Sequence, residues 1–202
     1  MIRGLILFGD SILAGTGAST RESGCSKLIK AKLKIQVSLK GINRNTSQDG
    51  LNRIETDVLA QPSLSHVVIL FGNNDCRLID AKSSVISQEV FVRNLEEISG
   101  RIKKNGQIPL FCNLQPIDAS KLFKFLPEFQ RCGVDPEVLQ SQYSNLIEDF
   151  CKKNQESVID IRNVLSKDLL AMDGLHPNDE GHGIIANRIL QTLKWMEPAL
   201  QT

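Results

Sequence analysis

The sequence predicts an α/β fold in which helices cover a parallel β-sheet. Five short apolar runs alternate along the chain with longer segments of helical periodicity. Two of these runs, GLILF at residues 4–8 and VVILF at residues 67–71, are apolar without alternation, as expected of strands buried on both faces. Strands that alternate with helices form right-handed βαβ units, and such units build a parallel sheet.

The predicted strands are short and rich in leucine and β-branched residues. They cover residues 4–8, 35–39, 66–71, 108–113 and 158–160. The first of them looks like the apolar part of a secretion signal, but it ends after a few residues at Gly9-Asp10 and no cleavage site follows. We therefore interpret it as the first buried strand.

The predicted helices fill the intervals between the strands. They cover residues 26–33, 47–60, 88–105, 136–154 and 179–196. Local signals support their ends: Asn105-Gly106 is typical of a left-handed helix end, and Asp135 before Pro136 is typical of a helix start. Asp179 and Glu180 place acidic side chains at the positive end of the last helix.

The long connection at residues 115–134 has a helical stripe of four apolar residues. These are Leu122, Phe125, Leu126 and Phe129, at the spacing i, i+3, i+4 and i+7. One interpretation is a short helix that packs on the body of the protein. The other is a lid or acyl-binding wall over a site at the sheet edge.

Composition limits the organisation of the chain. Neither an internal repeat nor a flexible linker is present, so residues 1–202 are predicted to form a single domain. The 24 basic and 23 acidic residues give a net charge of +1, which argues against nucleic acid as a partner.

No apolar run approaches the length of a membrane span. Five scattered cysteines without metal-ligand spacing predict free thiols and a cytoplasmic location, with no metal site.

Polar residues follow the predicted strands, where ligands bind in open parallel sheets. Gly9-Asp10-Ser11 follows the first strand, residues 40–46 follow the second, and GNND at residues 72–75 follows the third. DGLHP at residues 173–177 precedes the last helix. The topology predicts that a hydroxyl, an amide, an imidazole and a carboxylate meet at one edge.

Ser11 is the candidate nucleophile, and His176 is the candidate base. A serine hydroxyl attacks only when a base removes its proton. His66 opens a strand at the wrong edge of the sheet and His182 lies within the last helix, whereas His176 lies in a loop. Asp173, three residues before His176, is placed to orient the imidazole.

An acyl-transfer site also needs donors for the oxyanion. The candidates are the backbone N–H of Ser11, the side-chain amide of Asn74 and a backbone N–H in the turn at residues 43–46.

These segments resemble the sequence blocks of the GDSL, or SGNH, hydrolase family: GDSIL at 9–13, GNND at 72–75 and DGLH at 173–176. The resemblance extends over almost the whole chain. It implies a three-layer α/β/α, flavodoxin-like fold with a five-stranded parallel sheet. It also implies Ser11 as nucleophile, His176 as general base, Asp173 as its orienting partner and Asn74 as an oxyanion donor.

One position departs from the family pattern. The second block of the family contains a glycine whose N–H completes the oxyanion hole, and the stretch GINRNT places Arg44 there. The backbone N–H survives this replacement. The side chain adds a positive charge that either binds an anionic part of a substrate or weakens hydrolysis.

The sequence thus predicts a serine esterase or acylhydrolase that cleaves carboxylic esters or thioesters through an acyl-enzyme on Ser11. No cofactor is expected, and the predicted partner is a small-molecule ester. Phe125 and Phe129 are candidate substrate-binding residues, as is Asp10, although a capping role is favoured for Asp10. The alternatives are a non-hydrolytic binding module of the same fold and an O-acyltransferase. The sequence does not predict the oligomeric state.

Overall fold

A computed structural model describes residues 1–80 and 83–200 of the chain, and its centre is a five-stranded parallel sheet. The strands lie in the order β2-β1-β3-β4-β5. Their bounds are β1 Gly4–Gly9, β2 Gln36–Gly41, β3 His66–Leu70, β4 Ile108–Cys112 and β5 Ser157–Ile159. All five predicted strands are confirmed, with ends that differ by one or two residues.

Eight α-helices are present among the described residues. They are α1 Ser11–Ala14, α2 Cys25–Lys32, α3 Ser47–Ile54, α4 Gln88–Lys104, α5 Ala119–Phe125, α6 Pro127–Arg131, α7 Pro136–Asn154 and α8 Asp179–Met196. The predicted helix at residues 47–60 continues beyond α3 as a π-helical turn over Glu55–Leu59. The long connection contains α5 and α6. No helix of the described residues is long and apolar enough to cross a bilayer.

Each face of the sheet has its own hydrophobic core, which confirms the three-layer α/β/α fold. Side chains alternate along β1, so that Leu5 and Leu7 belong to one core while Ile6 and Phe8 belong to the other. The first core includes residues of α2 and α8, and the second includes residues of α3, α4 and α7. Burial on both faces explains why β1 and β3 are continuous apolar runs.

The predicted helix ends follow local chemistry. Gly106 has a φ of 77° after α4, in the left-handed region. The Asp135 side chain accepts the N–H of Glu137 at 2.8 Å at the start of α7. Thr46 and Asp49 form a reciprocal capping box on α3. That box fixes the segment between β2 and α3, which borders the site described next.

The single-domain interpretation of residues 1–202 stays a prediction. Residues 81, 82, 201 and 202 lie outside the described residues.

Candidate active site

Ser11 is the first residue of α1, and one residue, Asp10, separates it from the end of β1. The carboxylate of Asp10 accepts the N–H of Ile12 at 2.9 Å and caps this four-residue helix. The first N–H groups of a helix have no carbonyl partner within it, and the Ser11 N–H makes no hydrogen bond among the described residues. A sharp turn from strand to helix thus presents both the hydroxyl and the N–H of Ser11 at the sheet edge.

The structure brings Ser11, His176 and Asp173 into one hydrogen-bonded chain. His176 Nε2 lies 2.9 Å from Ser11 Oγ, and His176 Nδ1 lies 2.6 Å from Asp173 Oδ2. The second carboxylate oxygen of Asp173 accepts the backbone N–H groups of Leu175 and His176, at 2.9 and 3.0 Å. The arrangement of hydroxyl, imidazole and carboxylate matches the nucleophile–base–orienter geometry of serine hydrolases.

Asp173 is electrostatically suited to orient the imidazole. Partial burial by itself raises the pKa of this carboxyl, but the hydrogen bonds from His176 and the two backbone N–H groups outweigh burial and lower the pKa to about 2. The group is therefore a carboxylate at neutral pH. A carboxylate only accepts hydrogen bonds, so the proton of a neutral His176 lies on Nδ1 and Nε2 is free to accept from Ser11.

Two glycines let the histidine loop approach Ser11. Gly17 has a φ of 97°, and a Cβ at this position would lie 2.4 Å from the carbonyl oxygen of Pro177 and 2.7 Å from His176 Cβ. Gly174 has a φ of 71°, and its carbonyl accepts the N–H of Asp118 at 2.8 Å. Side chains at either position would push the loop away from the sheet edge.

Ser11, Arg44 and Asn74 line the same cavity, and each has an N–H group available for an oxyanion. Asn74 follows β3, and its side-chain amide donates one hydrogen to the carbonyl of Asn45 at 3.0 Å. An amide nitrogen has two hydrogens, so one remains for an oxyanion. The backbone N–H groups of Ser11 and Arg44 make no hydrogen bond among the described residues. All three donors belong to residues that sequence analysis selected.

Arg44 has the backbone conformation of a glycine. Its φ is 65°, in the left-handed region that non-glycine residues rarely occupy. The turn after β2 therefore has a conformation that glycine adopts without steric cost, and the arginine side chain is part of the cavity lining.

Arg53 holds the turn after β2, which contains Arg44, in place. Sequence analysis missed this role. Its guanidinium donates to the carbonyl oxygens of Gly9 and Lys40 at 2.8 and 3.0 Å, and to Asn45 Oδ1 at 2.7 Å. It also pairs with Asp57 at 2.6 Å. The i, i+4 spacing of Arg53 and Asp57 was a signal for that pair, but no local signal indicated the contacts with both strand ends.

Asp75 is a second residue that sequence analysis did not select. Its buried carboxylate accepts the backbone N–H of Ser47 at 3.0 Å and also the Ser47 hydroxyl. The Ser47 hydroxyl in turn accepts from Asn94 Nδ2 at 2.9 Å. Burial raises the pKa of Asp75 to about 6, although its hydrogen bonds with Ser47 oppose the change. These contacts join the loop that holds Asn74 to the start of α3.

Ser11 and His176 open onto a cavity of about 490 Å³. Its lining consists of Ser11, Thr16, Asn43, Arg44, Asn74, Arg77, Leu122, Phe125, Leu126, Asp173, Leu175 and His176. The lining residues from α5 and the segment after it form an apolar wall. The lining residues from the segments after β2 and β3 are polar and basic.

Two of the predicted substrate-binding residues do not line this cavity. Asp10 is fully buried, since its carboxylate caps α1 and also accepts from Asn73 at 3.3 Å. Burial raises the pKa of Asp10 to about 7. Phe129 lies in α6 and is 4% exposed, because it faces the protein interior. Phe125 does line the cavity and is 54% exposed. The apolar stripe is thus divided between a cavity wall and a packing face.

The other histidines and the cysteines lie away from this chemistry. His66 begins β3, at the opposite edge of the sheet, and contacts the Ser65 hydroxyl at 2.8 Å. His182 is buried, where Nε2 donates to the carbonyl of Thr16 at 3.0 Å and Nδ1 accepts the N–H of Cys25 at 3.3 Å. The five cysteines are free, and the described residues contain no cluster of three or more metal-ligating side chains.

A profile of the GDSL-like lipase/acylhydrolase family matches residues 7–184. The chain belongs to the GDSL-like lipase/acylhydrolase family. This match includes the three sequence blocks and confirms the predicted family. The GDSL-like chain is accordingly an acylhydrolase, an enzyme that cleaves ester bonds.

Individual relatives of this GDSL-like chain come from plants and bacteria. It is 27% identical over 207 residues to GDSL esterase/lipase WDL1 of Oryza sativa subsp. japonica, covering 95% of this chain and 78% of that protein. A lipase/acylhydrolase from Enterococcus faecalis has a similar structure, with a TM-score of 0.77, 24% identity and 96% of each chain covered. The acetylxylan esterase Axe2 from Geobacillus stearothermophilus gives a TM-score of 0.74 at 22% identity, with 95% of each chain covered.

Proposed function

We propose that this acylhydrolase works through an acyl-enzyme on Ser11, with His176 as general base and Asp173 as its orienting partner. The observation that carries the proposal is the continuous chain from Ser11 Oγ to His176 at 2.9 Å and from His176 to Asp173 at 2.6 Å. Hydrogen-bond reach between nucleophile and base is the geometric requirement for this chemistry.

In the first half-reaction Ser11 Oγ attacks the ester carbonyl carbon while His176 Nε2 takes the hydroxyl proton. The negative charge that forms on the carbonyl oxygen is stabilised by the N–H groups of Ser11 and Arg44 and by the Asn74 amide. When the tetrahedral intermediate collapses, the bond to the leaving oxygen or sulfur breaks. His176 donates its proton to that leaving atom.

In the second half-reaction water replaces the leaving alcohol or thiol. His176 Nε2 takes a proton from water as its oxygen attacks the acyl carbon, and the same three donors stabilise the second intermediate. Collapse releases the carboxylic acid and returns the proton to Ser11. These steps need no metal or organic cofactor, since the side chains and N–H groups named here supply the nucleophile, the base and the charge stabilisation.

Two observations favour hydrolysis over the non-hydrolytic alternative. Arg44 was the reason to consider a pure binding module, yet its backbone has the left-handed conformation that glycine readily adopts, and its N–H makes no hydrogen bond among the described residues. The nucleophile, base and orienting acid also form one hydrogen-bonded chain.

The proposed substrate is a small carboxylic ester or thioester whose acyl or alcohol part contacts the apolar wall. A cytoplasmic location stays a prediction and rests on the free cysteines.

The test combines covalent labelling with turnover of 4-nitrophenyl acetate. The wild type is expected to form a fluorophosphonate adduct on Ser11 and to release 4-nitrophenol, and Ser11→Ala should abolish both. Ser157→Ala is the matched control, because Ser157 is exposed at the start of the edge strand β5. Equal turnover by the wild type and Ser11→Ala, both folded, removes Ser11 from the mechanism.

A further inference from the structure

The cavity in front of Ser11 contains two cationic side chains and no free anionic one. Arg44, after β2, and Arg77, after β3, both line it. Among the described residues of the lining, Asp173 is the single acidic one, and His176 and two backbone N–H groups occupy its carboxylate. The net charge of the chain is only +1, so this positive charge is a local property of the cavity.

Neither guanidinium has a side-chain hydrogen bond or ion pair within the part of the chain that the structure describes. Arg44 is exposed and Arg77 is partly buried at the cavity wall. Arg53, in contrast, is bound by Asp57 and by carbonyl oxygens, and Arg101 pairs with Glu55. A guanidinium offers a planar set of donors that matches a carboxylate, phosphate or sulfate group. Two unpaired guanidinium groups beside a nucleophile therefore form a binding site for an anion.

The backbone at Arg44 supports a role for its side chain. A left-handed conformation is sterically unfavourable for a non-glycine residue, and such strain is concentrated at functional sites. The turn requires that conformation, with a φ of 65°, and nevertheless contains a long cationic residue. A guanidinium in the lining of the cavity is what this replacement adds.

Apolar side chains line the same cavity. Leu122, Phe125 and Leu126 form an apolar surface from α5 and the residue after it, and Leu175, next to His176 in the sequence, adds to it. A molecule bound in the cavity therefore meets apolar side chains as well as two arginines, and Ser11 belongs to the same lining.

We infer that the substrate is an ester with an anionic group, a carboxylate, phosphate or sulfate, which Arg44 and Arg77 bind while an apolar portion contacts the α5 wall. This inference rests on the proposed function, because it specifies the substrate class of the same cavity. The anion belongs either to the acyl part or to the leaving group, and the experiment distinguishes these two sources.

The experiment compares kcat/KM for esters matched in shape but not in charge. The acyl arm uses mono(4-nitrophenyl) glutarate against 4-nitrophenyl valerate. The leaving-group arm uses 4-acetoxybenzoate against 4-acetoxybenzamide, each rate divided by the spontaneous hydrolysis rate of that ester. In one arm the wild type is expected to prefer the anion by about tenfold or more, since a hydrogen bond to a charged group contributes at least that factor.

Substitutions then assign the preference to the arginines. Arg44→Gln and Arg77→Gln should each lower the ratio of anionic to neutral kcat/KM, and the double variant should bring it close to one. Arg77→Lys keeps the charge and should retain part of the preference. Arg3→Gln is the matched control, because Arg3 is exposed and precedes β1 at the opposite edge of the sheet. The ratio is the readout, so a general loss of activity cannot imitate the expected result.

The outcomes separate this inference from the proposed function. Turnover of neutral esters without a preference for the anion in either arm, or a preference that survives in the double variant, overturns the inference alone. If the wild type cleaves none of the esters, the proposed function fails, and a binding measurement then tests whether Arg44 and Arg77 bind an anion. Calorimetry with 4-phenylbutyrate and 4-phenylbutanamide should show tighter binding of the carboxylate, lost in the double variant, whereas equal binding of the two overturns it.

Discussion

Ser11 Oγ and His176 Nε2 lie 2.9 Å apart, although 165 residues separate them along the chain. Ser11 is fixed by the end of β1 and the cap of α1. His176 is fixed by a loop whose carbonyl at Leu175 accepts from Gln115 Nε2 at 3.2 Å and whose carbonyl at Gly174 accepts from Asp118. Both loops are thus anchored to the main body, and the proton-transfer distance follows from the fold.

Asp173→Asn should lower kcat on the order of 10⁴-fold while the protein stays folded, because an amide stabilises the wrong tautomer of His176 and cannot balance the imidazolium charge. Steady-state kinetics with 4-nitrophenyl acetate measures this loss. Asp168→Asn is the control, since Asp168 is exposed in the same connection before α8. Activity of Asp173→Asn within tenfold of the wild type would contradict the orienting role.

The pKa of Asp173 also predicts a pH effect on stability. The pKa is lowered from 3.8 to about 2 in the folded protein, so the folded state favours the carboxylate. The stabilisation from this group is therefore present above about pH 4 and is lost as the pH falls towards 2. Urea unfolding of the wild type and Asp173→Asn between pH 2 and pH 6 should show a smaller loss in the variant at the acid end.

The titration of Asp75 has the opposite sign to that of Asp173. Burial raises its folded-state pKa from 3.8 to about 6, so the folded protein retains a proton that the unfolded chain has already released. The unfolding free energy therefore falls as the pH rises from about 4 to about 6, and Asp75→Asn should remove that contribution. Urea unfolding of both proteins across this range measures the difference between the two slopes, and identical slopes would exclude the assignment.

Glycine and alanine should differ at position 44. Both Arg44→Gly and Arg44→Ala remove the guanidinium, but only glycine adopts a φ of 65° without steric cost. Arg44→Gly is expected to be more stable than Arg44→Ala by about 1 kcal/mol. Thermal or urea unfolding compares the two variants, and a more stable alanine variant would contradict the left-handed turn.

Gly17→Ala should lower kcat by about tenfold or more, since a displacement of 1 Å at a catalytic group can cost about a hundredfold. The added Cβ would overlap the backbone of Pro177 and the Cβ of His176. Gly100→Ala on α4 is the matched control, because a Cβ there meets nothing within 4 Å. Circular dichroism checks the fold of both variants. A fully active Gly17→Ala would mean that the histidine loop tolerates displacement.

The sequence by itself determined the strands, the long helices and the family. These are encoded locally: burial on both faces leaves continuous apolar runs, and helix ends depend on residues such as Asp135 and Gly106. The three sequence blocks also indicated Ser11, Asn74, Asp173 and His176, because each lies at the end of a strand or just before the last helix, and parallel topology collects such residues at one edge.

Only the tertiary structure decided which side chains face the cavity and which hold it in shape. Asp10 and Phe129 were predicted to contact substrate, yet a helix cap and the packing of α6 bury them. Arg53 and Asp75 stabilise the loops through contacts with residues that are distant in the sequence. Such contacts leave no local sequence pattern. The presence of both Arg44 and Arg77 in the cavity lining has the same origin, since it depends on β2 and β3 both lying beside β1.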